Sequence, residues 1–244
     1  MNAIALHARA STDFDKKLAA TQNLLRETGE LYQPLTQASS LGVEDMVITH
    51  LLHALGVKSE VFVLQTGKLH AQTLDLLSTV KKQFSGQRTI RIYEPDAQAA
   101  EAFEAANGKD AMYKSIALRK QCCDIRKMKP LAIALDGKRA WITGLRKEQS
   151  DARAAVHAID ESGEKIKVNP LHDWTLGDVW HYVKTHNVPY NALHDQFYPS
   201  IGCEPCTRAV TLGEDFRSGR WWWENEAAKE CGLHVAAEAK SFAT

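Results

Sequence analysis

Cys122 and Cys123 stand side by side, and Cys203-Glu204-Pro205-Cys206 supplies a second pair with two residues between its thiols. Cys231 is the fifth and last cysteine in the chain. Four thiols grouped this way can hold a metal centre as thiolates, which leaves Cys231 for a different chemistry. Zinc takes four thiolates as a tetrahedron, usually from two spaced knuckles. A cubane iron–sulfur cluster is larger and offers each thiolate its own iron. Adjacent cysteines reach one centre only where the backbone bends or the centre is large, which favours the cluster and leaves zinc as the alternative. Cys231 lies near Lys229 and His234. Cations lower a thiol's pKa toward the reactive thiolate, so a nucleophile is one reading and an inert buried thiol the other.

Three further stretches could hold an anion. Ser39-Ser40-Leu41-Gly42-Val43-Glu44-Asp45 has small residues just ahead of a helical pattern, so its N–H groups can face negative charge. A serine-capped turn is the simpler account. Leu64-Gln65-Thr66-Gly67 follows a strand-like run, and its glycine permits a tight turn beside a planar ligand. Gly144 through Arg153 carries Arg146, Lys147 and Arg153 among polar Gln149 and Ser150. Arginine forks suit phosphate or sulfate, against the alternative of a solvated charged loop. Lys127 beside the first cysteine pair, and Arg217 and Arg220 after the second, extend the basic theme. Neither GxxxxGKS/T nor GxGxxG occurs, so the standard phosphate and dinucleotide loops are absent from the sequence.

The elements that must position these residues alternate between helix and strand. Residues 14–28 carry Phe14, Leu18, Leu24 and Leu25 at helical spacing, and Val43, Val47, Leu51 and Leu55 follow the strand at Leu35 to Ser39. Val61 to Leu64 reads as a buried strand and residues 89–93 and 140–143 as further strands, separated by helices that include one ending at Gly108. Residues 156–160 and 165–168 suggest a hairpin, and Leu176, Val179, Trp180 and Val183 lie on one face of a helix. The pattern predicts an α/β fold, a doubly wound, mainly parallel sheet with helices on both faces. Beyond Tyr198 it predicts loops, a short tail helix, and docking of Trp221-Trp222-Trp223 against the domain. The division expected is a core at residues 1–200 and a C-terminal segment at 201–244 that carries cluster ligands and a mobile catalytic tail.

The 30 lysines and arginines balance 30 aspartates and glutamates, which disfavours a nucleic-acid binder relying on bulk charge. No apolar run nears the about 20 residues that cross a bilayer. Residues 1–13 lack the pattern of a secretory signal, and unpaired cysteines suit a reducing cytoplasm.

The motifs Cys122-Cys123-Asp124-Ile125-Arg126-Lys127, Cys203-Glu204-Pro205-Cys206 and Glu230-Cys231-Gly232-Leu233-His234 resemble the iron–sulfur branch of the APS/PAPS reductase family, the assimilatory adenylyl-sulfate (APS) reductases. The resemblance spans nearly the whole chain. It implies an adenine-nucleotide α-hydrolase-like fold and reduction of adenylyl sulfate to sulfite and AMP, in sulfate assimilation toward cysteine. It further implies one 4Fe–4S cluster per chain on Cys122, Cys123, Cys203 and Cys206, with Cys231 as nucleophile and His234 and Lys127 assisting. Ser39, Ser40, Gly42 and Glu44 would form the modified pyrophosphate loop. Leu64, Gln65, Thr66 and Gly67 would form the nucleotide loop, in which Gln65 replaces the family's usual aspartate. Gly144, Arg146, Gln149, Ser150 and Arg153 would form the arginine loop, and Lys127, Arg217 and Arg220 would face the phosphosulfate. Electrons would come from a separate thioredoxin or glutaredoxin. Neither nucleic acid nor a membrane is implied, and a homo-oligomer stays open. PAPS reduction or dual use is the nearest alternative, followed by an ATP-pyrophosphatase-type enzyme and an iron–sulfur sensor.

Overall fold

The computed structural model describes residues 2–211 and 213–224, so Cys231, His234 and the expected tail helix lie outside the described residues. Two helices come first, α1 (Ala3–His7) and α2 (Phe14–Leu31). They are followed by β1 (Leu35–Ser39), α3 (Val43–Ala54), β2 (Glu60–Leu64), α4 (Ala71–Gln83), β3 (Ile90–Tyr93) and α5 (Ala97–Asn107). A run of short helices, α6 (Ala111–Lys114), α7 (Ile116–Cys123) and α8 (Lys129–Leu135), leads to β4 (Ala140–Ile142), β5 (Ile159–Asp160), β6 (Ile166–Val168) and α9 (Leu176–His186). No described helix is long and apolar enough to cross a membrane.

The strands form one sheet in the order β3-β2-β1-β4-β6-β5. Every neighbouring pair is parallel except β5 with β6. Alternation along β2 explains why both faces need cover. Val63 joins the cluster built by α3, α4 and α9, whereas Phe62 packs with Leu131, Ala134 and Trp141 beside α8. Helix α3 is buried almost all round, with Val43, Met46, Val47, Ile48, Leu51 and Leu52 in the core and Glu44, Asp45 and Thr49 also buried. On α9, Thr175 and Asp178 form a capping box and Asn187 closes the helix in the left-handed conformation.

The chain moves outward from β1 to β2 and β3, then returns through α5–α8 to β4 on the other side of β1. That reversal opens a crevice at the carboxyl ends of β1 and β4, where ligands of open α/β sheets bind.

Two elements differ from the sequence expectation. The hairpin arms shrink to β5 and β6, because β6 is recruited as a parallel neighbour of β4. Residues 111–135, which carry no clear periodicity, are nearly continuous helix. Between α7 and α8 the helix widens to a π turn at Asp124–Met128, immediately after the cysteine pair. Pro130 is tolerated because it falls in the first turn of α8.

Candidate active site

Three loops at the carboxyl ends of β1, β2 and β4 converge on a cavity of about 210 Å³. Its wall includes Ser39, Ser40, Gly42 and Glu44 after β1, Leu64 and Thr66 after β2, and Gly144, Gln149 and Arg153 after β4. Lys127 enters from the π turn, and Arg217, Arg220 and Trp221 close the remaining side. The β1 loop is held by its own polar atoms. Asp45 Oδ2 accepts from both the Ser40 N–H and its hydroxyl, each at 2.7 Å, and Leu41 sits at φ 61. A leucine in that region is uncommon, and such local strain concentrates at functional sites. Gly144 lets the β4 loop lie against this one, since a Cβ there would come within 2.6 Å of Asp45 Oδ1.

Arg220 is the best-prepared cation in the wall. It is buried, its guanidinium lies 4.6 Å from the Trp221 ring centre, and its Nε has no partner among the described residues. It fits only because Gly202 has no side chain; a Cβ there would come within 2.4 Å of Nη2. A buried cation with an unused donor suits an anionic group in the adjoining space.

Not every expected residue faces the cavity. Arg146 does not line it: its side chain is fully buried, with Nε 3.0 Å from Glu44 Oε1 and Nη1 3.1 Å from Glu148 Oε2. Glu44 also accepts from Gln149 Nε2 at 3.0 Å. Burial acts to raise the Glu44 pKa, but Arg146 and these hydrogen bonds outweigh it and hold the carboxyl below its ordinary value. Gln65 and Gly67 also lie outside the lining, where the Gln65 amide oxygen accepts from the Gly67 N–H at 2.9 Å. Ser150 is outside as well, its hydroxyl buried without a partner among the described residues.

Asp45, which the sequence placed only at the end of the first loop, and His194, to which it gave no role, also line the cavity. His194 Nδ1 is 2.8 Å from the Tyr198 carbonyl, which can only accept, so Nδ1 carries the proton and Nε2 is left as a buried acceptor. Only the alternation into a buried turn could have pointed to it, and that signal is too common to use. Burial pushes Asp45 up to about 6, against the hydrogen bonds from Ser40. Burial pushes His194 down to about 4, against the pull of Glu44 and Asp195.

The two groups affect acid stability in opposite senses. Folded Asp45 binds its proton more tightly than the unfolded chain does, so its contribution falls as pH rises from about 4 to about 6. Folded His194 binds its proton more weakly, so its contribution falls as pH drops from about 6.5 toward 4. Relative to the parent, His194→Gln is therefore expected to gain about 3 kcal/mol between pH 7 and pH 4. Denaturant midpoints across that range check this, and parallel curves for the two proteins would refute it.

Behind the cavity lies a second, smaller one lined by all four remaining cysteines together with Lys68, Arg119, Arg126 and Lys127. Cys122, Cys203 and Cys206 are buried, Cys123 is half-buried, and all four are free thiols. Burial, reinforced by Cys203, pushes the Cys206 thiol up to about 11 and also raises Cys122. Thiols this buried ionise only with strong positive charge among them, which is what a metal centre supplies. The Trp221 indole N–H is buried without a partner among the described residues, and its ring packs with Cys122, Cys203 and Cys206. Among the described residues, no group of three or more His, Cys, Asp or Glu side chains is disposed to hold a single metal ion. Four thiols around one cavity are a donor set of the kind that holds a zinc ion or an iron–sulfur cluster.

Comparison with known proteins bears on this arrangement. The profile of the phosphoadenosine phosphosulfate reductase domain matches residues 34–209. An adenosine 5′-phosphosulfate reductase from Burkholderia cepacia is 47% identical over 221 residues, covering 90% of this chain and 88% of that protein. One from Allochromatium vinosum is 46% identical over 218 residues, covering 88% and 84% respectively. Among solved structures, a phosphoadenylyl-sulfate reductase from Candida auris in a phosphate complex aligns with TM-score 0.66 at 28% identity, over 83% of this chain and 98% of that one. An FMN adenylyltransferase from Candida glabrata aligns with TM-score 0.55 at 14% identity, over 94% of this chain and 83% of that one, and shares the fold alone. The sheet is thus of the adenine-nucleotide α-hydrolase-like kind that the sequence motifs led us to expect.

Proposed function

The chain belongs to the phosphoadenosine phosphosulfate reductase domain family, and from that premise we propose that this enzyme reduces adenylyl sulfate to sulfite and AMP with electrons from an external dithiol protein. One observation carries the reading. Lys127 and Cys203 line both the cavity beneath the three loops and the cavity of the cysteines, so an anion in the first would sit directly beside a centre in the second. Relatives named for adenosine 5′-phosphosulfate favour that substrate over its 3′-phosphorylated form.

In this scheme Arg220, Arg217, Arg153 and Lys127 hold the phosphosulfate beside the Ser39–Gly42 turn, whose shape is fixed by its own bonds from the Ser40, Leu41 and Gly42 N–H groups to Asp45, Ser39 and Ser40. The Cys231 thiolate attacks the sulfate sulfur in line, the sulfur–oxygen bond to phosphate breaks, and AMP departs with the electron pair. His234 orients or activates the thiol. The cations offset the repulsion between two anions and the charge growing on the leaving phosphate. A thiolate of thioredoxin or glutaredoxin then attacks Cys231 Sγ, which expels sulfite. The second thiol of the partner resolves the mixed disulfide, returning Cys231 and oxidising the partner by two electrons.

Cys122, Cys123, Cys203 and Cys206 would hold a 4Fe–4S cluster; Thr66 Oγ1 lies 3.2 Å from Cys203 Sγ. Such a cluster would supply a fixed field beside Lys127 and pin the two cysteine segments together. The dithiol provides both electrons, so no step passes through it.

Anaerobic protein given adenylyl sulfate without reductant is expected to release one AMP per chain and to gain one sulfonate on Cys231, read by intact mass and peptide mapping. Thioredoxin should then discharge the sulfonate as sulfite. AMP release without an adduct would remove the covalent step, and no AMP at all would remove the substrate assignment.

A further inference from the structure

Gln149 lines the loop cavity, yet every hydrogen-bonding site on its side chain is already taken. The residue is buried and closes the short turn at Lys147–Gln149. Its Nε2 donates to Glu44 Oε1 at 3.0 Å and to the Gly144 carbonyl at 3.3 Å. Its Oε1 accepts from the Arg146 N–H at 3.2 Å and from Arg153 Nη1 at 2.6 Å. A side-chain amide has two donor hydrogens and two acceptor lone pairs, and these four bonds use them all.

The amide can sit only this way round. A carbonyl and an ionised carboxylate accept, whereas a backbone N–H and a guanidinium donate. Against burial, Arg146 and the hydrogen bonds keep Glu44 ionised at neutral pH. Glu44 stands in the first turn of α3, and Arg146 Nε holds it at 3.0 Å. Arg153 lies in the next turn, Asp151–Arg153, and is part of the cavity wall. The path from the buried frame to that cation is therefore short: α3, Glu44, Gln149, Arg153. A neutral amide fixes the direction of a guanidinium without adding a negative charge beside it. Ordering a long side chain before its ligand arrives removes that cost from binding.

We infer that Gln149 is a positioning residue of the anion site, whose amide holds Arg153 toward the phosphosulfate while making no hydrogen bond to substrate itself. The inference rests on the cavity taking adenylyl sulfate. It also alters the role implied by the sequence motifs, in which Gln149 stood with Arg153 among the residues binding substrate.

Equilibrium binding tests this in protein carrying Cys231→Ser, with the cysteine-bound centre loaded, so that adenylyl sulfate is held and not consumed. Gln149→Met keeps the size and loses both hydrogen-bonding atoms. It is expected to weaken adenylyl sulfate by about tenfold or more, the worth of a hydrogen bond to a charged group. Adenosine, which carries no anion, should change by less than about twofold. Gln149→Glu is a second variant should the first fail to fold. It sets a carboxylate against Glu44 and the anion, and the same selective loss is expected. Arg153→Met should weaken adenylyl sulfate as well, and adding Gln149→Met to it should cost less than a further factor of about two, because the amide acts through the cation.

Parental affinity for adenylyl sulfate in the folded Gln149 variants overturns the inference. A double variant whose loss is the product of the two single losses does so too, since Gln149 would then act on the ligand by itself. Equal weakening of adenosine marks a disturbed cavity and also overturns it. If protein with Gln149 and Arg153 intact binds no adenylyl sulfate, the substrate reading falls and takes the positioning role with it; a selective, non-additive loss beside a binding parent supports both.

Discussion

Cys231→Ser is expected to leave AMP affinity and the visible absorbance of the cysteine-bound centre at parental levels while sulfite formation falls below about a thousandth of the parental rate. Two separate losses add up here. A serine hydroxyl is un-ionised at neutral pH, whereas a cysteine thiol is partly thiolate and intrinsically far more nucleophilic. The second loss is in the release step. Any sulfate ester formed on serine has no sulfur–sulfur bond, and a dithiol discharges its partner by attacking sulfur. The other four thiols share one cavity and would be committed to a centre. A Cys231→Ser protein that still made sulfite at parental rates would mean that the external dithiol attacks adenylyl sulfate directly, and the covalent intermediate would have to be abandoned.

Much of this site was legible in the sequence because its parts are contiguous. The Leu64–Gly67 loop ends a β-branched and aromatic run, the Ser39–Asp45 loop opens a helical pattern, and strand ends in a parallel sheet point to the ligand crevice whatever the remaining packing does. The cysteine pairs could be grouped from their types and spacing alone. What escaped was set by tertiary contacts. Helices α6 to α8 lack a clean apolar stripe, since cysteines and lysines occupy positions that face a cavity, and the π turn shifts the periodicity midway. The Arg119–Glu224 contact joins residues 105 apart, and no local pattern foretells it. Of the three tryptophans expected to dock, Trp221 is buried while Trp222 is 39% exposed, because consecutive residues cannot all face the same wall.

Arg146 shows how a motif can conceal a different task. Its loop reads as an anion clamp, yet its guanidinium is taken up by Glu44, Glu148 and the Trp174 carbonyl, 3.2 Å from Nη1. Arg153 on the same loop is the one that reaches the cavity. Arg146→Leu is accordingly expected to destabilise the fold by about 3–5 kcal/mol at pH 7, because Glu44 would remain buried and ionised without its counter-charge. The loss should shrink under mildly acidic conditions, and the sign follows from the parent. With Arg146 present, the folded Glu44 pKa lies below its unfolded value, so the pair contributes stability above the unfolded pKa and loses it as pH falls. Burial is already the largest single influence on Glu44, and without Arg146 it is opposed by less and raises the carboxyl, so the variant protonates it sooner and sheds its penalty. Urea midpoints of parent and variant at pH 7 and pH 5 should thus lie closer together at the lower value. A variant with parental midpoints at both, but with weakened AMP binding, would instead make Arg146 a direct ligand for the substrate and return the loop to its simplest reading.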